Sequence, residues 1–263
     1  MPEGLQNAVA GTDWLRVWLF LFLAAGLVAG VVSGFFKARK IQPRGFKWKV
    51  FRNEILFAVI NVAVSGFILG APTEWLKAHG YITVATGPAP VWVIGLEYAA
   101  YFLLFDTWFY WLHRWMHNEP FYGLIHKLHH KSTSPNLLTT LSVNPIESLI
   151  NGGFVPLFTA LLTVHPETMA LIVPTNIIMG LYVHSGYEFM PRWWNKSWAT
   201  KWFITATFHD QHHRYFTGNF GGYTTIWDRI CGTVHKKFES DFVKIKERPI
   251  IRMGSGTAPE AAD

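Results

Sequence analysis

Apolar residues in this 263-residue chain gather into long blocks instead of alternating with polar ones. A helix that crosses the hydrocarbon core of a bilayer needs roughly 20 mostly apolar residues. Trp14–Phe36 and Val91–Leu112 reach that length, and Ile55–Ala71 approaches it. The first block is too long for a secretory signal and lacks its basic leader and small-residue cleavage site. Arg16 sits near one end, where a long side chain reaches the interface. Leu149–Val164 and Met169–Val183 flank the connection His165–Thr168 and predict a helical hairpin. Pro156 and Pro174 interrupt its members, so tilted or re-entrant segments are expected. The fold class this predicts is all-α, a multi-pass helical membrane protein.

Charge adds an orientation. Lys37, Arg39, Lys40, Arg44, Lys47, Lys49 and Arg52 lie between the first two blocks with no acidic residue among them. Positive charge beside span ends marks a cytosolic loop. The N-terminus and the weakly charged loop Pro72–Pro90 then lie outside, and the chain returns to the cytosol at His113. The hairpin leaves and comes back, which puts His184 and all that follows on the cytosolic side. Arg192–Phe203 interleaves Trp193, Trp194, Trp198 and Trp202 with basic residues. That pattern suits a helix lying in the membrane interface, or else an aromatic belt packed on the protein. The small, polar tail Gly254–Asp263 is expected to be disordered.

Composition narrows the class. Half of the residues are hydrophobic and 15% are charged, against about 25% charged in a soluble domain. The 13 Trp, 21 Phe and 9 Tyr exclude intrinsic disorder. A single cysteine, Cys231, excludes a disulfide framework and any cysteine-built zinc or iron–sulfur site. The net charge of +6 fits cytosolic loops better than nucleic-acid binding.

The histidines carry the chemistry. Nine of the twelve fall in four places: His113 and His117; His126, His129 and His130; His184 alone; and His209, His212 and His213. Spacings of three and four put side chains on one helical face. His79, His165 and His235 stand apart and read as core or interface residues. A structural zinc is satisfied by four ligands and a catalytic zinc by three. Nine imidazoles overfill one site and suit two metals with about four or five nitrogens each. Imidazole suits zinc, copper, iron and nickel alike. The boxes lack carboxylates at ligand spacing, unlike carboxylate-bridged centres. His113–His117 lacks the glutamate of a zinc-protease H-E-x-x-H. Bis-histidine haem needs single facing histidines, not triplets.

The stretches Tyr110–His117 (YWLHRWMH), Leu124–His130 (LIHKLHH), Asn144–Ser148 (NPIES), Val183–Glu188 (VHSGYE) and His209–Thr233, in this order, resemble the sterol desaturase/fatty acid hydroxylase superfamily of membrane di-iron oxygenases. The last stretch is most similar to the C5 sterol desaturase-like branch. The resemblance covers about Val91–Phe238. It divides the chain into 1–90 (N-terminal tail and first two spans), 91–238 (the di-iron domain) and 239–263 (a basic C-terminal tail). Position by position, it implies two iron ions on His113, His117, His126, His129, His130, His184, His209, His212 and His213. Some relatives place a His or Asn four residues before the lone histidine. Here that position is Gly180, which leaves room for a water or a further ligand. Asp106, seven residues before His113, either orients a ligand histidine or packs against a neighbouring span. Glu147 and Glu188 are similar orienting candidates, and Asp228 with Arg229 is expected to form a structural pair.

The implied reaction is O2-dependent hydroxylation or desaturation of a sterol-like or fatty-acyl lipid. No dinucleotide fingerprint opens a strand–helix unit, and Gly218–Gly222 sits in a different context. Electrons are therefore expected from a separate reductase through a ferredoxin or a cytochrome b5-type carrier. Lys236, Lys237, Lys244 and Lys246 either steer such a carrier or serve anionic lipid and topology. The expected location is a bacterial inner membrane or an endoplasmic reticulum, with the histidine boxes facing the cytosol. The competing class is a membrane metal transporter or metal-binding protein, whose ligands belong near the bilayer midplane.

Overall fold

The computed structural model describes residues 37–42 and 47–249. The Trp14–Phe36 block and the Gly254–Asp263 tail lie outside them. Within the described residues the regular structure is helical. Strand pairing is limited to three isolated bridges, Lys40 with Tyr187, Val84 with Val164 and Phe203 with Thr224.

The Ile55–Ala71 block lies inside a longer helix, α1, spanning Trp48–Ala78. Its buried residues are Glu54, Ala58 and Asn61, spaced four and three apart on one face. Elsewhere its surface is apolar and exposed, with Leu56, Val59 and Phe67 outward. Helix α2 covers Val91–Met116 and follows Pro90, which lacks the amide a first turn leaves unused anyway.

The first arm of the expected hairpin is not one span. Asn144 caps helix α3, Pro145–Gly152, by accepting from the Ile146 amide, and Pro145 occupies the first turn. Gly152 ends α3, and Gly153 separates it from the eight-residue α4, Phe154–Leu161. At about 1.5 Å per residue α4 is far too short to cross a bilayer. A side chain at Gly152 would meet Leu69 Cδ1 of α1 at 2.9 Å, so the glycine permits that approach. The second arm is a full helix, α5, Pro166–Val183, which continues past Pro174.

Among the described helices, α1 and α5 are long and apolar enough to cross a membrane. Helix α2 is 26 residues long but falls outside that pair; Glu97, Asp106 and its tyrosines and tryptophans lower its apolarity. An aromatic core joins α2, α4 and α5, with Tyr101, Phe105, Phe154 and Phe158 in ring contact.

Arg192–Phe203 is a run of turns, not an interface helix. The Thr200 hydroxyl donates to the Trp194 carbonyl (2.7 Å) and Ser197 accepts from the Ala199 amide (3.3 Å), local bonds that compete with helix. Trp193 and Trp198 point outward and Trp194 is half-buried. The C-terminal part adds α6 (Ala206–Tyr215), the short α7 (Ile226–Ile230) and α8 (Phe238–Glu247). Arg39 donates to the carbonyls of Ile245 (2.8 Å), Lys246 (3.1 Å) and Arg248 (3.1 Å), satisfying the open end of α8.

Candidate metal centre

Four pieces of chain deliver the nine imidazoles. His113 lies in the last turn of α2 and His117 caps it. The second box is not a regular helix: Tyr122–His126 is a π turn and His129–Lys131 a 3-10 turn. His184 caps α5, and His209, His212 and His213 sit on α6. Thr205 starts α6 by accepting from the Phe208 amide, and Phe216 ends it with a left-handed backbone, φ 64°.

The ring nitrogens form two sets, each with ligand atoms within 4.8 Å of one another and able to hold a metal ion: His113, His117, His126, His130 and His212; and His129, His184, His209 and His213. In the first, Nε2 separations are 3.0 Å (His113–His126), 2.9 Å (His126–His130), 3.0 Å (His130–His212) and 3.1 Å (His117–His212). In the second they are 2.9 Å (His184–His209), 3.1 Å (His184–His213) and 3.3 Å (His184–His129). Both triplets are therefore split between the sets. His126 and His130 go one way and His129 the other; His209 and His213 share one set while His212 joins the other.

Backbone carbonyls fix three tautomers. His113 Nδ1 donates to the Phe220 carbonyl (2.8 Å), His212 Nδ1 to Gly218 (2.7 Å) and His184 Nδ1 to Gly180 (2.8 Å). A carbonyl only accepts, so each of these rings keeps its proton outward and turns a bare Nε2 lone pair inward. Burial holds the rings neutral: the pKa values of His113 and His184 drop to about 4, and those of His126, His129, His130, His209, His212 and His213 fall well below the usual value. Neutral imidazole is the ligating form. Lone pairs facing each other near 3 Å repel unless a proton or a cation lies between them. Bonds of about 2.0–2.1 Å to a common ion put neighbouring nitrogens about 3 Å apart when they subtend near right angles. The donor set fits a metal.

The surrounding carboxylates divide by role. Glu147 Oε2 lies 2.9 Å from His126 Nδ1 in a fully buried contact. Asp106 does neither thing expected of it: its carboxylate accepts from the Tyr223 and Thr224 amides (2.9 and 2.8 Å) and pins that turn against α2. Glu188 likewise binds amides, those of Met190 and Thr207 (both 2.9 Å), and no ligand ring. Asp228 and Arg229 do not pair. Asp228 accepts from the Phe220 amide (2.9 Å), the Gly221 amide (2.7 Å) and the Thr233 hydroxyl (2.7 Å), whereas Arg229 donates to Thr225 (2.9 Å) and the Lys201 carbonyl (3.1 Å). Gly222 lies so close to Phe109 that a Cβ would stand 2.6 Å from its ring, which explains part of the glycine run. At Gly180 a Cβ would meet Thr140 Cγ2 at 2.8 Å, and the Thr140 hydroxyl binds the Gly180 carbonyl at 3.0 Å. His79, His165 and His235 lie outside both sets.

Sequence reasoning missed Glu54. It is buried on α1 and accepts from the Ser132 hydroxyl, the Asn136 amide (2.7 Å) and the Thr139 hydroxyl (3.2 Å), bracing the loop after the second box. Its signal was a lone acid at the edge of an apolar block.

Fold and site together define a class: a helical protein with histidine clusters able to hold metal. The chain belongs to the fatty acid hydroxylase family, whose sequence profile matches residues 98–233, the stretch that holds all nine histidines. It is 40% identical to methylsterol monooxygenase erg25A of Aspergillus fumigatus over 139 residues, 51% of this chain and 45% of that protein. It is 30% identical to C-4 methylsterol oxidase erg25 of Schizosaccharomyces pombe over 214 residues, 76% and 67% of the two chains. It is 32% identical to a cholesterol 25-hydroxylase-like protein of Danio rerio over 205 residues, 74% and 77%. Against the Aspergillus protein the match thus spans under half of the relative's length. No solved structure matches.

Proposed function

We propose that the chain is a multi-pass membrane oxidoreductase that uses two iron ions and O2 to hydroxylate or desaturate a C–H position of a lipid. The convergence of nine imidazoles into a set of five and a set of four carries this reading. Relatives named for methylsterol and cholesterol chemistry favour a sterol-like substrate over a fatty-acyl one. Residues 91–238 form the catalytic domain and 1–90 supply a tail and the first spans; 239–263 begin within the packed helix α8 and, with four basic and five acidic residues, carry no basic excess. The boxes face the cytosol, where the basic loop Lys37–Arg52 also lies.

His113, His117, His126, His130 and His212 hold one ion; His129, His184, His209 and His213 hold the other. Bound iron supplies the O2 chemistry. The chain's own residues orient the ligands through the Phe220, Gly218 and Gly180 carbonyls and through Glu147. Phe109 and Phe220 edge against His113 at 5.0 and 5.9 Å and help keep water from the centre. A lipid reaches span ends from the bilayer, and the electrons come from a separate carrier and reductase.

Two measurements test this. Purified chain should hold about two tightly bound irons. Lipid mass spectrometry should detect products one oxygen heavier or two hydrogens lighter in cells carrying the chain, and none with His129→Ala. One exchangeable zinc and unchanged lipids would favour metal transport instead.

A further inference from the structure

The histidine sets approach the surface at one corner. Of the nine rings His117 alone is half-buried, and two more half-buried rings cover it and its neighbour. Tyr122 lies 5.6 Å from His117 and 6.0 Å from His130; Phe216 lies 4.9 Å from His130 and 6.4 Å from Tyr122. Phe216 is held over the five-nitrogen set because α6 stops there, its amide bonded to the His212 carbonyl at 2.9 Å. The preceding residue faces solvent differently. The Tyr215 ring lies flat on His235, 4.2 Å away at 1°, with the Arg214 guanidinium 5.2 Å and the Lys237 ammonium 6.0 Å from its centroid.

Arg214, Lys236 and Lys237 are exposed, and none has a carboxylate partner among the described residues. The other basic residues near α8 are engaged. Lys246 donates to the Glu188 carbonyl at 2.7 Å, and Lys244 stands 3.9 Å from Asp241. Of the nearby acids, Asp241 also accepts from Gln211 at 2.8 Å, and Glu239 is exposed in the first turn of α8, two residues after Lys237, without an ion pair to it. Free cations thus border the thinnest cover over the site.

We propose that Arg214, Lys236 and Lys237 with Tyr215 form the docking surface for an acidic one-electron carrier protein, and that electrons enter over Phe216 and Tyr122 to the five-nitrogen set. This rests on the oxygenase reading above and names its partner. Hydroxylation balances as R–H + O2 + 2 e⁻ + 2 H⁺ → R–OH + H2O. Two reduced carriers are each oxidised by one electron; one oxygen atom enters the C–H bond and the other leaves as water. Desaturation takes the same two electrons and two protons and releases two waters with the alkene. Electron transfer weakens steeply with distance, so the carrier belongs where the rings come nearest the surface. Unpaired rim cations raise the encounter rate of an acidic partner.

The test uses full-length chain in nanodiscs, with cytochrome b5 and a plant-type [2Fe–2S] ferredoxin as acidic probes. Binding is measured by surface plasmon resonance, and turnover with each carrier is compared with turnover driven by dithionite. Arg214→Glu with Lys237→Glu should raise the carrier's Kd and KM about tenfold or more and flatten their salt dependence. Dithionite-driven turnover and metal content should stay at wild-type values. The control Lys244→Glu should leave carrier binding unchanged. Arg214→Ala with Lys237→Ala gives a milder version if charge reversal lowers expression. Unchanged Kd and KM for both carriers, with weaker binding to phosphatidylserine vesicles instead, would overturn the proposal and assign the patch to anionic lipid. If wild-type chain turned over with no reductant, the oxygenase reading would fail, and the binding measurement would decide the docking surface alone.

Discussion

Glu147 Oε2 stands 2.9 Å from His126 Nδ1, both side chains almost wholly removed from solvent. The imidazole is addressed from two sides: the carboxylate meets Nδ1, while Nε2 faces His113 at 3.0 Å and His130 at 2.9 Å. Burial raises the Glu147 pKa well above the usual carboxylate range, so this carboxyl would ionise only beside a positive neighbour, such as an imidazole holding a cation. Removing such an outer partner typically weakens metal binding about 10–100-fold. Glu147→Ala should do so in chelator competition, with Glu147→Gln in between. Wild-type affinity in the alanine variant would show that His126 needs no such support.

Glu54 makes a different kind of claim. It collects three donors, Ser132, Asn136 and Thr139, and the neighbouring Thr140 contacts His184 Nδ1 at 3.3 Å. Glu54→Leu would strand buried donors, each costing about 1–3 kcal/mol. The variant should melt lower and lose metal first from the four-nitrogen set, whose His129 and His184 flank this loop. Equal loss from both sets, read in cobalt-substituted spectra, would point to general unfolding.

Asp228 and Arg229 test the corrected pairing. Asp228 is buried and holds the Phe220 amide, whose residue also offers its carbonyl to His113. Asp228→Ala should cost about 2–4 kcal/mol in unfolding and reduce metal content. Arg229→Ala, which removes bonds to Thr225 and a carbonyl and a contact with the Trp202 ring, should cost about 1 kcal/mol. Similar losses for the two would restore the ion pair.

Acid should expose the buried rings. His113 and His184 titrate in the folded chain near pH 4, against about 6.5 when unfolded. Between those values the unfolded chain binds more protons, so stability falls as pH drops from about 6.5 towards 4 and is fully present above that window. Urea titrations of metal-free chain at pH 8, 6.5 and 5 would check the slope, which the raised Glu147 carboxyl opposes, and ring nitrogen NMR over the same range would check its cause; rings that protonate near 6.5 in the folded chain would not be desolvated.

The sequence made some of this plain and hid the rest for physical reasons. Apolar blocks located α1 and α5, yet Leu149–Val164 read as one arm because two adjacent glycines in an apolar run do not announce where one helix gives way to the next. Arg192–Phe203 had the composition of an interface helix, but Ser197 and Thr200 turned the backbone into loops. All nine histidines were readable from spacing and resemblance. Their partition was not, since the i, i+3, i+4 spacing puts all three rings on one side and does not say which set each ring joins; the irregular second box and the regular helix α6 split their triplets alike. Nor do carbonyls such as Phe220 and Gly218 carry any residue-type signature.

The split triplets have a mechanical consequence. Because α6 contributes His212 to one set and His209 with His213 to the other, a tilt of that single helix displaces both centres in concert. The short turns at His126–His130 repeat the same yoke from the opposite flank. An ion in either half would therefore stiffen the frame of its neighbour, and a change that loosens one half should, in turn, slacken the grip of the other.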